Sequence, residues 1–325
     1  MRGLHLADGV CSLRDDLDAP ITNPGETRVR VRLAGVCATD LALQAGYMEF
    51  RGVPGHEFVG TALDGPLAGR RVVGEINAGC GECELCRAGD PRHCARRSVL
   101  GILGRPGAFA EELSLPSANL LPVPDAVSDD LAVFTEPLAA AFQVLDGLDL
   151  SGVRQALVVG DGRLGLLCAQ VLLDAGLNVD LAGRHPERIE LFERRPSFLR
   201  GAFEHDATPP HERWDLIVEA TGRPEVLPVV LEAIRPRGTI ILKTTAATAA
   251  TLDLAPLVIK EARLVGSRCG RFAPAIAALA DGRIRPEALI DARYPLERGP
   301  DALAHAARPG VLKVLIEMTS SETDR

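Results

Sequence analysis

Aromatic side chains are scarce in this sequence: phenylalanine, tyrosine and tryptophan make up 4% of 325 residues, with one tryptophan and two tyrosines. That argues against a pocket lined by aromatic rings. No run of eighteen apolar residues occurs. The longest apolar region, Ala156 to Ala182, is interrupted by Asp161, Arg163, Asp174 and Asp180, so no membrane-spanning helix is expected. No basic cluster occurs and the net charge is −8, which speaks against nucleic acid as a main partner. The first residues, Met-Arg-Gly-Leu-His-Leu-Ala-Asp, lack the apolar core of a signal peptide. A reducing cytoplasmic setting is therefore expected, and there disulfides are disfavoured. Internal repeats and low-complexity tracts are also missing.

What is present is concentrated cysteine. Cys80, Cys83, Cys86 and Cys94 hold half of the chain's eight cysteines within fifteen residues, loosened by Gly79, Gly81 and Gly89. Four thiolates sharing a small volume repel one another unless a cation neutralises them. Zn²⁺ does so tetrahedrally, and a Cys₄ set leaves no open position for chemistry. Two disulfides are the competing reading, disfavoured by the expected compartment. A lobe that only staples a loop places the chemistry elsewhere.

The chain is long enough for two domains. Thr27 to Leu33 alternates apolar residues with arginine at period two, a half-buried strand. Gly35 ends it and Val36-Cys37-Ala38-Thr39-Asp40 opens a helical turn. Pro54-Gly55-His56-Glu57 then leads into another strand, followed by segments over Arg71–Ile76, Gly107–Leu113 and Leu120–Pro124. Many short strands punctuated by Gly and Pro describe a β barrel or sandwich. Near residue 128 the character changes. Ser128–Phe134 and Thr135–Leu145 read as helices, Ala156–Val159 as a buried strand, Leu164–Ala175 as a helix and Asn178–Ala182 as a second strand. Gly160-Asp-Gly162-Arg163-Leu164-Gly165 sits between that strand and that helix. This is the setting in which Gly160 permits the turn, Gly162 the approach of a pyrophosphate and Gly165 close helix packing. Later βα units continue a doubly wound parallel sheet. The last strand, Leu312–Glu317, is expected to return to the first domain.

Four landmarks in order resemble the zinc-dependent medium-chain dehydrogenase/reductase family, the branch with alcohol, polyol and threonine dehydrogenases. They are Gly35-Val-Cys37-Ala-Thr39-Asp40, Gly55-His56-Glu57, the Cys₄ lobe and Gly160-x-Gly-x-x-Gly165. The resemblance implies a fold that is part β and part α/β. A GroES-like catalytic domain would span residues 1–140 and 275–325, around a Rossmann domain of residues 141–274. It implies two zinc ions per chain. Cys37, His56, Glu57 and Glu136 match the catalytic set, and Cys80, Cys83, Cys86 and Cys94 the structural one. Thr39 matches the hydroxyl that takes the alcohol proton, Glu57, next to His56, a glutamate that ligates zinc directly or exchanges with water, and Asp40 an anion that orients His56. Thr39 could instead be only a helix cap, and Glu136 only a first-turn helix carboxylate. Gly160, Gly162, Arg163, Leu164 and Gly165 would contact the dinucleotide. The family's relay often ends in histidine five residues after the zinc cysteine; here that residue is Ala42, so the proton leaves another way. Tyr47, Glu49 and Arg51, on a short loop, are substrate contacts or merely solvated.

Coenzyme choice is read at the end of the second strand, where an acidic residue binds the ribose of NAD and a nearby arginine accommodates the phosphate of NADP. By the resemblance Gly183 holds the acidic position and Arg184 follows it, with Arg188 a turn later, so NADP is the expected coenzyme. Were the strand to end earlier, Asp180 would restore NAD. The expected activity is hydride transfer between NADP and a small-molecule alcohol of the polyol, sugar or aminocyclitol class. An NADPH-dependent aldehyde or ketone reductase and a non-enzymatic nicotinamide-binding protein are the alternatives. A homodimer or homotetramer is implied.

Overall fold

The computed structural model describes residues 1–192, 194–200, 203, 211–245 and 251–318. The chain divides into two compact units, Met1–Glu136 with Phe272–Arg325, and Pro137–Arg271.

In the first unit the strand Glu26–Gly35 is the hub. Its apolar residues Val29, Val31 and Leu33 are buried, while Arg28 and Arg32 reach out to Asp64 and Asp129 at 3.1 and 2.7 Å. Alternation at period two thus puts one face into the core and one into water. The strand pairs antiparallel with Glu57–Ala62, with Glu112–Pro116 and with Lys313–Glu317. Arg71–Gly74 and Leu120–Pro122 extend the sheet on one side, and Ile290–Pro295 on the other. The final strand therefore does return to the first unit, with Leu315 opposite Gly35.

One expected strand is shorter than its sequence suggests. The segment from Gly107 becomes a strand only at Glu112. Before that, the amides of Gly107, Ala108 and Phe109 donate to the carbonyls of Val53, Gly55 and Pro54 at 2.8, 2.8 and 3.0 Å. A side chain at Gly107 would meet the Pro54 and Gly55 carbonyl oxygens at 2.4 Å. The segment is a clamp on the Pro-Gly turn that presents His56.

The second unit holds, among the described residues, a six-stranded parallel sheet. Its order is Ser197–Arg200, Asn178–Gly183, Gln155–Val159, Trp214–Glu219, Ile234–Leu242, Arg263–Gly266. In chain order this is 3-2-1-4-5-6, the doubly wound arrangement whose ligand crevice lies at the carboxyl ends of the strands where the order reverses. Leu157, Trp214, Ile217 and Ile240 form its buried core. The helix Arg163–Asp174 starts directly after the first strand. Gly160 has φ +113°, which a side chain would strain, and Gly165 approaches so closely that a Cβ would lie 1.8 Å from the Gly160 oxygen. Around Gly162 nothing comes within 4 Å of that position.

Candidate active site and metal centres

Cys37, His56 and Glu57 come together in the first unit, with one ligand atom of each within 4.8 Å of the others. Cys37 is the cap of the helix Ala38–Gln44, just past the hub strand, and Glu57 opens the neighbouring strand. Pairing Gly35 with Glu57 brings them side by side. Asp40 is fully buried and braces both segments: it accepts the Cys37 amide at 2.8 Å and the Gly55 amide at 3.1 Å. Its Oδ1 lies 3.4 Å from Nδ1 of His56. That ring nitrogen is buried without a hydrogen-bond partner. Burial pushes the His56 pKa down, but the charges of Asp40 and Cys37 outweigh this and hold it well above its usual value. The pocket thus favours positive charge, and thiolate, imidazole and carboxylate are donors that suit Zn²⁺.

Thr39 is the second residue of its helix rather than the cap, and its Oγ1 lies 3.8 Å from Cys37 Sγ. Glu136 lies early in the helix Thr135–Phe142 and is not part of the converged group. Ala42 is exposed. Tyr47 and Met48 are about half exposed, and Arg51 is tied to Asp8.

Sequence reasoning missed one partner entirely. Lys313, on the last strand, is 1% exposed and its ammonium sits against Oε2 of Glu57, itself 1% exposed. The same ammonium lies 3.4 Å from the Val36 carbonyl and 5.5 Å from the Phe134 ring centre. A lone lysine in an apolar strand some 250 residues away gives no local signal; only the register of that strand places it.

The second cluster joins Cys80, Cys83, Cys86 and Cys94, again within 4.8 Å. Cys80 and Cys86 sulfurs are 4.0 Å apart, and Arg96 donates to Cys80 at 3.3 Å. Backbone N–H groups of Glu82 and Cys83 aimed at Cys80 help pull its pKa down to about 6, the Glu82 amide contributing most. Burial leads in pushing Cys86 up to about 11. Backbone amides and Arg96 are aimed at sulfurs crowded within 4.8 Å, a set of donors that fits a cation held among them.

At the end of the second strand the polypeptide is still extended at Gly183, so Asp180 is mid-strand. It accepts from Trp214 Nε1 at 2.8 Å and pairs with Arg213 at 3.2 Å, a structural role. Arg184 is exposed and Arg188 buried. The residue not anticipated here is Asp161. Its Oδ2 accepts from the amides of Arg184 and His185 at 2.9 and 2.7 Å and lies 3.0 Å from His185 Nδ1. An acidic residue inside the glycine motif was the available signal.

Residues 23–125 match the alcohol dehydrogenase GroES-like domain family. The chain is 31% identical to an L-threonine 3-dehydrogenase of Streptomyces coelicolor, over 94% of this chain and 95% of that protein. The chain belongs to the zinc-type medium-chain dehydrogenase/reductase family. The dehydrogenase is also 30% identical to the starvation-sensing protein RspB of Escherichia coli, over 88% of this chain and 90% of that one. A solved RspB structure from Escherichia coli CFT073, in complex with NADH, superposes with a TM-score of 0.88 at 27% identity, covering 98% of this chain and 99% of that one. The GroES-like and doubly wound halves read from the sequence are those of the family. Among the described residues, no helix of the dehydrogenase is long and apolar enough to cross a membrane.

Proposed function

We propose that the dehydrogenase transfers hydride between an alcohol of the polyol, sugar or aminocyclitol class and NADP. The convergence of Cys37, His56 and Glu57 carries this reading. These three would hold a catalytic zinc, with Glu136 as a further protein ligand and Glu57 ligating directly or exchanging with water; the convergence of Glu57 with Cys37 and His56 favours it as the resting ligand. Cys80, Cys83, Cys86 and Cys94 would hold a second, structural zinc. When bound at the first site, zinc supplies Lewis-acid polarisation of the substrate oxygen. The nicotinamide supplies the hydride acceptor.

The chain's own residues supply the rest. Asp40 fixes the Cys37 and Gly55 backbones so that the donors keep their spacing. Lys313 holds one oxygen of Glu57 and leaves the other for a ligand or a proton. Thr39 Oγ1, close to Cys37 Sγ, takes the alcohol proton and passes it to water, since Ala42 offers no further relay. Gly160, Gly162, Arg163, Leu164 and Gly165 form the pyrophosphate cradle at the start of a helix, and the open space around Gly162 supports that role. Exposed Arg184 beside Gly183 supports NADP, with Arg188 behind it; the carboxylate of Asp161 at the same corner favours NAD as a second reading. Turnover as an aldehyde or ketone reductase is the same chemistry run in reverse. Four cysteines gathered where a metal suits them better than a pair of disulfides support a cytoplasmic setting. Exposed Leu254, Val258 and Ile259, just ahead of the edge strand Arg263–Gly266, support a homodimer or homotetramer.

The test is zinc-replete protein assayed with NAD and NADP against alcohols, polyols and aminocyclitols, in both directions, with zinc counted per chain. NADP-linked turnover of a polyol with two zincs is the expected result. Turnover confined to simple apolar alcohols would overturn the substrate class, and NAD-only turnover the coenzyme assignment.

A further inference from the structure

In doubly wound sheets the ribose 2′ position is discriminated by the side chain at the end of the second strand. Here that residue is Gly183, which has none. The space is nevertheless filled: a Cβ at Gly183 would lie 2.3 Å from Cγ and 2.5 Å from Oδ2 of Asp161. A carboxylate stands where a side chain at 183 would begin, delivered from the glycine-rich turn after the first strand. We propose that Asp161 is the residue that reads the ribose 2′ position, taking the 2′-hydroxyl of NAD and opposing the 2′-phosphate that Arg184 attracts. This rests on dinucleotide binding by this unit, and holds whichever coenzyme the balance favours.

The local geometry supports it in three ways. First, Asp161 is only 6% exposed, and three donors converge on its Oδ2: the Arg184 amide, the His185 amide and His185 Nδ1. Two successive amides turned to one point form an anion nest, the kind of device that binds phosphate. Asp161 fills it with its own charge. Second, burial raises its pKa, but the His185 amide, the Arg188 charge and the His185 ring outweigh burial and hold it below the usual carboxylate value, so it is ionised at neutral pH. Third, Oδ1 makes one long contact, 3.6 Å to Arg188 Nη1, while a carboxylate offers about four acceptor sites. Acceptor capacity therefore remains for a hydroxyl. The collision also explains why residue 183 is glycine: any larger residue would displace Asp161.

The experiment is fluorescence titration of NADH and NADPH against the wild-type protein, Asp161→Asn and Arg184→Gln. Opposed charges at this range predict that Asp161→Asn raises the NADPH-to-NADH affinity ratio about tenfold and that Arg184→Gln lowers it about as much. A purely structural Asp161 would weaken both coenzymes equally and leave the ratio unchanged, which overturns the proposal. Should the asparagine variant misfold, Asp161→Ser keeps an acceptor for the two amides without the charge, and the same ratio decides. Binding of neither coenzyme by the folded wild-type protein would instead sink the dinucleotide reading beneath it.

Discussion

The two clusters of side chains that could hold a metal lie in one unit and are built in opposite ways. The Cys₄ lobe takes all four donors from fifteen consecutive residues, three half-buried and Cys94 buried, on a loop with two short helical turns, Glu84–Arg87 and Pro91–His93. The Cys37–His56–Glu57 group takes its donors from the cap of one helix and the start of a strand, and closes with a lysine from a third segment. The first is saturated with like donors and needs only its own loop. The second is unsaturated and mixed, with His56 and Glu57 buried and Cys37 half-buried, and needs the whole sheet in register. Local construction suits a staple, whereas long-range construction lets the surrounding fold set the chemistry.

The sharpest way to break that contrast is Cys37→Ala. Turnover should fall about a thousandfold or more, with NADPH binding and thermal stability close to wild type. A variant that kept a tenth of the activity would mean the chemistry is elsewhere. Next comes Lys313→Met, which strands the buried Glu57 charge. Urea unfolding of the zinc-free protein should show a loss of about 3–5 kcal/mol, since one partner of a buried pair remains uncompensated. A loss below about 1 kcal/mol would mean that the pair contributes little to holding the sheet together. Cys86→Ala should then remove one zinc per chain by elemental analysis and lower the thermal midpoint by about 10 °C, leaving turnover within about threefold. A collapse of turnover without loss of stability would make the lobe a working part of the site rather than a staple. The smallest effect belongs to Tyr47→Ala on the exposed loop: kcat/KM on the preferred substrate should stay within about twofold. A tenfold rise in KM would instead restore that loop as a substrate contact.

The features legible in the sequence were those with a local signature. Arginine alternating with Val and Leu gave the hub strand, and Gly160, Gly162 and Gly165 gave the turn that opens the helix, because each pattern is dictated by its own backbone. Cys80 to Cys94 was legible for the same reason. What escaped were side chains whose meaning depends on register. Lys313 is an isolated charge in an apolar strand, and Asp161 is a polar interruption in an apolar stretch. Each acquires a role only when a distant strand end arrives beside it. The segment 107–113 is strand only from Glu112 for a related reason: its earlier amides found partners in the Val53–Gly55 turn instead of a neighbouring strand.

The Glu57–Lys313 pair also bears on how the molecule is made. Its partners are 256 residues apart in sequence, with the entire second unit synthesised between them. Chains emerge from the ribosome amino end first and tend to fold domain by domain in that order. Glu57 therefore emerges long before its counter-charge exists, while the Cys₄ loop can close as soon as it is released. Throughout that interval the nascent hub strand has an uncovered edge where Lys313–Glu317 will later dock, so the first unit completes its sheet last even though it begins first.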